Sequence, residues 1–227
     1  MINPSISPAI FLPPDDLSHL HIVATHDFNG LNTGIFFLRV NAWSVNFLIE
    51  TLGMPLYKPD VNLGRSADQE AMAKVLNKTT GGPDNRGYRR SVVYVPRSWI
   101  NMYELDSGYE GKPGNMLVHF PGLEQARWKH MSDWLDLLDA RPEEWDRSLN
   151  HTDYWNSTRS FWREYRSSLK LISDIGELEK VDRPGNSSLH RACEQLQRGL
   201  ELNADNIPSM ARLRYMVYYE MKLARAV

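Results

Sequence analysis

Asn32-Thr33-Gly34-Ile35-Phe36-Phe37-Leu38-Arg39-Val40 is a largely apolar run led by a glycine. Runs of this kind suit a strand covered on both faces, as in an α/β sheet, where neither side meets water and alternation disappears. Asp27-Phe28-Asn29-Gly30 precedes it and is turn chemistry, because Asn-Gly readily takes positive φ. Residues 20–25 form a short β-rich run before that turn. The centre of the chain's first part is therefore a pair of strands joined by a tight turn.

Working outward, Asn41 is a plausible N-cap for a helix over 42–52, which puts Trp43, Phe47 and Leu48 on one face. Gly53 and Pro55 predict its end. Ser66 opens a second helix, and Gln69 stands three residues later, the spacing of a capping box. Residues 81–85 read as a loop. Residues 91–95 read as a strand stopped by Pro96, 101–109 as irregular, and 116–120 as a short buried strand ended by Pro121-Gly122. Beyond residue 125 the pattern turns helical, over 128–138, 152–175, 187–202 and 209–226. This predicts an α/β domain over 1–125 with a helical extension over 126–227 packed on it. There is no G-x-G-x-x-G and no P-loop pattern.

Composition narrows the function classes. The 227 residues are 42% hydrophobic and 24% charged with a net charge of −2, an ordinary globular balance. Arg86, Arg89 and Arg90 make the densest basic cluster. It is too short for a nucleic-acid footprint and reads as a solvated loop, so no nucleic-acid partner is expected. Cys193 is the single cysteine, which rules out an intrachain disulfide and suits a small buried thiol on an amphipathic helix. No run approaches the roughly 18 apolar residues of a membrane span, and Met1-Ile-Asn-Pro-Ser-Ile-Ser-Pro has no signal-peptide pattern. N-x-S/T sequons stand at Asn77, Asn150, Asn156 and Asn186 and matter only in a secretory compartment.

In open α/β sheets ligands bind at the carboxyl ends of strands. Asp27, Asn29 and Asn32 crowd one such turn, Gly34 lets another backbone or a ligand approach, and His119 ends the 116–120 run. Asp68 and Gln69 sit at a helix start, where backbone N–H groups point outward. Each has a plainer reading. His119 suits a hydrogen-bonded rim residue, Asp68 an acid favoured by the helix dipole, Gln69 the return half of a capping box, and Asp27 and Asn29 turn formers.

Four motifs change that balance. Leu31-Asn32-Thr33-Gly34-Ile35-Phe36-Phe37-Leu38-Arg39 with Trp43-Ser44 is similar to an "LNxGxFxxR…WS" segment. Asp68-Gln69 resembles a "DQ" helix. Val95-Pro96 with Asn101-Met102-Tyr103 resembles "VPxxxxNxY", and Val118-His119-Phe120-Pro121-Gly122 resembles "xVHFxG". They occur in this order in the galactosyl- and mannosyltransferase family of fungi and plants, glycosyltransferase family 34. The resemblance implies a GT-A fold and retaining transfer of a hexose or pentose from a nucleotide sugar donor to a glycan acceptor. It also implies a divalent cation, usually Mn²⁺, and a Golgi membrane location. It assigns the cation to His119 and gives Asp68 and Gln69 the positioning of acceptor and transferring sugar, with Gln69 near the anomeric charge. Asn32, Thr33 and Gly34, beside Asp27 and Asn29, would line the sugar pocket, and Gly122 would bring its backbone to the diphosphate.

The chain departs from the family pattern in two places. The Asp-x-Asp pair that shares the cation is absent, since Asp15-Asp16 is adjacent and late. Leu123-Glu124 stands where some members carry a lysine. A cation held by His119 alone keeps most of its water and binds weakly. The expectation is therefore a partial GT-A domain that is inactive or very feeble on its own. The alternative is a non-catalytic relative that binds a glycan or a partner.

Overall fold

The computed structural model describes residues 1–64, 66–82, 85, 87–181, 187–203 and 206–225. By compactness the chain forms two units, Met1–Trp155 and Asn156–Val227.

The first unit is α/β. Strands β1 (Ile22–Asp27) and β2 (Gly30–Leu38) form an antiparallel hairpin closed by Asp27 opposite Gly30. Gly30 takes φ +101°, the turn geometry that the Asn-Gly pair predicts. Helices α1 (Ala42–Tyr57) and α2 (Ala67–Leu76) follow, then strand β3 (Val92–Tyr94), which pairs parallel with β1. The sheet order is β2-β1-β3. Ile22, Ala24 and Leu31 pack with Trp43, Phe47, Met54, Met72, Val75 and Tyr88 in one buried cluster. Strand alternation turns Val23, Thr25 and Asp27 to the other face.

β2 is an edge strand, not one covered on both faces; Phe36 and Leu38 are half-buried against the core and Val40 is exposed. It also bulges. Thr25 pairs with Asn32 but Val23 pairs with Phe37, so Ala24 alone faces the four residues 33–36. Bulges of this kind re-aim side chains next to functional sites.

Several predicted elements change. α1 runs through Gly53 and Pro55 to Tyr57, and Leu48 is exposed while Trp43, Phe47 and Met54 are buried. The last turn is clamped from outside. Tyr57 donates to the Glu50 carbonyl at 2.8 Å, Lys78 lies over the Tyr57 ring, and Glu50 accepts from Lys78 and Tyr88. These contacts outweigh the one N–H that Pro55 removes. The Arg89-Arg90 region is not simply a solvated loop, because neighbouring Tyr88 is fully buried; Arg86 lies outside the described residues.

Helix α3 (Arg97–Ile100) leads into a small hairpin, β4 (Glu104–Leu105) with β5 (Gly108–Tyr109). The 116–120 segment is not a strand. Only His119 makes a bridge, parallel to Tyr103, and of the five residues only Met116 is buried. Pro121 cuts the ladder short, since it brings no N–H. Helices α4 (Arg127–Ala140) and α5 (Pro142–Trp145) complete the unit, with Tyr109, Trp134 and Trp145 in mutual ring contact.

The second unit is helical. It holds most of α6 (Tyr154–Val181), then α7 (Ser187–Asn203) and α8 (Ile207–Arg225). Cys193 is buried, as its amphipathic helix predicts. Gly199 on α7 lies so close to α8 that a Cβ there would meet Leu213 at 2.8 Å. The sequon at Asn186 and the predicted helix end at Ala226 lie outside the described residues.

Candidate functional site

The carboxyl end of β1 and the segment after α3 meet in one polar cluster. Asp27 Oδ2 accepts from the Tyr103 hydroxyl at 2.6 Å and from Asn32 Nδ2 at 2.8 Å. Asp27 Oδ1 accepts from the Asn29 N–H at 2.7 Å. Asn32 Nδ2 also donates to the Tyr103 oxygen, and its Oδ1 accepts from the Gly34 N–H at 2.8 Å. Asn101 donates through Nδ2 to Thr25 Oγ1 at 2.8 Å and to Asn32 Oδ1 at 2.7 Å. Its Oδ1 lies 2.5 Å from His119 Nδ1. Thr25 and Asn101 are fully buried and Asn32 nearly so, and each finds partners, as buried polar groups must.

His119 is held on every side. Its N–H donates to the Met102 carbonyl and its carbonyl accepts from the Glu104 N–H, each at 2.8 Å. Its ring lies against Gly34, where a Cβ would come within 2.7 Å of Nε2 and 2.8 Å of Nδ1. Gly34 therefore makes room for the imidazole, a side chain rather than the backbone or ligand that its sequence context suggests. Tyr103 meets the same ring edge-on, and Arg97 covers Tyr103 at 4.3 Å while pairing with Glu110.

The electrostatics follow from this packing. Burial pushes the Asp27 carboxyl up, but hydrogen bonds from Tyr103, Asn32 and Asn29 and the Arg97 charge outweigh it and hold it below the usual carboxylate range. Burial, then the Asp27 hydrogen bond and charge, drive the Tyr103 hydroxyl well above its ordinary value. Burial lowers the His119 imidazole, only partly opposed by Asp27, so it favours the neutral ring.

The other predicted residues divide. Asp68 and Gln69 reach β2 through Thr33: its N–H donates to Gln69 Oε1 at 3.2 Å and its hydroxyl to Asp68 Oδ2 at 3.4 Å. The capping box does not form. Ser66 makes no side-chain cap bond, and Gln69's oxygen is taken by Thr33. Thr33 and Gly34 are consecutive, so the two groups meet at one peptide of the β2 bulge. Asn29 sits at the exposed hairpin tip and enters the cluster only through its backbone. Gly122 has φ +67° and sits in an exposed turn, with open space where a Cβ would project.

Sequence reasoning missed Thr25, Asn101 and Tyr103 as site residues. Asn101-Met102-Tyr103 was visible as a motif, but 101–109 read as irregular and gave no reason for a role. A threonine inside Ile22-Val23-Ala24-Thr25 is the other signal, because a buried hydroxyl needs a partner.

Among the described residues no group of three or more His, Cys, Asp or Glu side chains could hold a metal ion. His119 offers one nitrogen, which alone does not retain a divalent cation against water. The described residues do not make a complete cation site.

These residues lie inside a longer match. A profile of the galactosyl transferase GMA12/MNN10 family matches residues 13–130, just over half of the chain. The chain belongs to the galactosyl transferase GMA12/MNN10 family. Within that span lie β1–β5 and every residue of the polar cluster. The chain is 29% identical over 111 residues to an alpha-1,2-galactosyltransferase of Schizosaccharomyces pombe, covering 47% of this chain and 26% of that protein. It is 31% identical over 120 residues to an uncharacterized alpha-1,2-galactosyltransferase of the same yeast, covering 48% and 26%. The match thus spans about a quarter of the length of these relatives. No solved structure matches the chain. No helix among the described residues is long and apolar enough to cross a membrane.

Proposed function

We propose that this chain forms the sugar-handling part of a retaining, nucleotide-sugar-dependent glycosyltransferase of GT-A type, with a galactosyl donor as the first candidate. The observation that carries the reading is convergence. Residues from three separate motifs, Asn32 and Gly34, Asn101 and Tyr103, and His119, share one hydrogen-bonded cluster at the carboxyl end of the parallel strands.

In this reading the cluster presents a rigid polar wall to a sugar. Asp27 stays ionised and accepts from hydroxyls. Asn32 is locked by four partners and holds Gly34 and the bulge in place. Gln69 gives its oxygen to Thr33, which leaves its amide N–H groups as donors toward the transferring sugar. Asp68, exposed at the start of α2 and joined to the Thr33 hydroxyl beside that amide, takes the acceptor hydroxyl. Gly122 contributes backbone to the diphosphate. Mn²⁺ belongs to the proposal with His119 as one ligand only, and no step is assigned to it. A Golgi lumenal location accompanies the family reading.

The test is transfer from nucleotide-activated galactose to an α-linked glycan, with the product's anomeric linkage read by NMR. The proposal expects an α-linked product from the α-linked donor, formed slowly because the described residues supply only one cation ligand. An inverted linkage, or no transfer at any Mn²⁺ concentration, would sink it.

A further inference from the structure

We propose that Asn101 is a positioning residue that fixes the His119 imidazole as its Nδ1–H tautomer and so presents Nε2 as a bare lone pair. The use made of that lone pair rests on the transferase reading; the tautomer does not.

The direction of every bond in the cluster follows from its two ends. A backbone N–H can only donate, so the atom of Asn32 facing Gly34 at 2.8 Å is the oxygen. The Asn32 nitrogen then faces Asp27 and Tyr103, where a carboxylate can only accept. Asn101 meets the Asn32 oxygen at 2.7 Å, and two oxygens would repel there, so Asn101 turns its nitrogen to Asn32. That nitrogen also donates to Thr25 Oγ1, which uses both of its hydrogens. The atom left for His119 is the Asn101 carbonyl oxygen, 2.5 Å from Nδ1. A carbonyl oxygen only accepts, so Nδ1 carries the hydrogen. A neutral imidazole has one N–H, and Nε2 is therefore unprotonated.

Flipping Asn32 would set its nitrogen against the Gly34 N–H and its oxygen against the Asp27 carboxylate, and flipping Asn101 would set its oxygen against that of Asn32, so the Asn32 assignment, fixed by Gly34 and Asp27 together, fixes Asn101 in turn. The ring cannot turn away either. His119 is tied through both its N–H and its carbonyl, and the ring rests on Gly34 and against the edge of Tyr103. With Nε2–H instead, the same ring could neither accept from a sugar hydroxyl nor ligate a cation.

The experiment is a long-range ¹H–¹⁵N correlation spectrum of the full ¹⁵N-labelled chain at pH about 8, where an unperturbed histidine is already neutral. The His119 signals are those that vanish in His119→Gln, which separates them from the other six histidines. The expected pattern is a protonated Nδ1 and an unprotonated Nε2. Asn101→Ala should convert His119 to the Nε2–H pattern. An Nε2–H pattern in the unaltered chain overturns the proposal without any variant. So does an unchanged Nδ1–H pattern in Asn101→Ala that keeps its circular dichroism. Because the tautomer is read without turnover, an active transferase with Nε2–H at His119 overturns only this inference. An inactive chain with Nδ1–H counts only against the transferase reading.

Discussion

Gly34 is the residue on which the cluster depends most tightly, because it leaves no volume for a side chain. Gly34→Ala would drive a methyl to within 2.8 Å of both ring nitrogens of an imidazole that is bonded through its backbone and through Nδ1. We expect a loss of about 1–3 kcal/mol in stability from overpacking. We expect a fall of about a hundredfold in transfer, since displacement of a site group by about 1 Å costs on that order. Thermal melting and turnover check the two separately. Tyr103→Phe removes a hydroxyl that donates to Asp27 and accepts from Asn32, at a cost of about 1–2 kcal/mol. The hydroxyl helps hold the Asp27 carboxyl low, so its loss moves that carboxyl up toward the ordinary range, which a carboxyl-carbon NMR titration reads. Asn32, Gly34 and His119 were legible from the sequence because a motif pointed to each. Thr25 stood in no motif, and Asn101 stood in one that gave it no role, because the part each plays lies in mutual hydrogen bonds between residues distant in sequence, a pairing no local pattern encodes.

Elements show the same contrast between local rule and tertiary context. The hairpin turn at Asn29-Gly30 was legible because φ at Gly30 is a local matter. The capping box was not, since it lost to a contact from β2: Thr33 claims Gln69, and Ser66, at φ −101° and ψ 54°, makes no cap bond. Ser66→Ala should therefore change stability by less than about 0.5 kcal/mol, against the roughly 1 kcal/mol of a working cap, as chemical denaturation would show. α1 overran its predicted stop for a similar reason, because Glu50, Lys78, Tyr57 and Tyr88 hold its last turns. Burial pushes the Glu50 carboxyl up, but hydrogen bonds from Lys78 and Tyr88 and the Lys78 charge bring it below its usual value. A carboxyl lowered on folding adds stability that is complete above its unfolded value and fades as pH falls through its folded one. The stability advantage of the unaltered chain over Glu50→Gln should thus shrink from about pH 5 to about pH 3. An advantage that stays constant across that window would remove Glu50 from the clamp.

At the scale of the whole molecule, an α/β unit followed by helices was legible from hydrophobic periodicity. The depth of the sheet was not. The apolar run at 32–40 suggested burial on both faces, whereas β2 is an edge strand that bulges over residues 33–36. An edge can be apolar when its bulge folds Phe36 and Leu38 back onto the core, and a single sequence does not announce a bulge. That bulge brings the Asp68–Gln69 pair and the His119 cluster to adjacent residues, Thr33 and Gly34, which is the arrangement a sugar between them would need. The most direct test is transfer from nucleotide-activated galactose by the unaltered chain, His119→Ala and Asn32→Ala, with folding followed by circular dichroism. The account predicts transfer by the unaltered chain and a loss of about a hundredfold or more in each folded variant. Equal transfer by all three, or none by the unaltered chain, would contradict it.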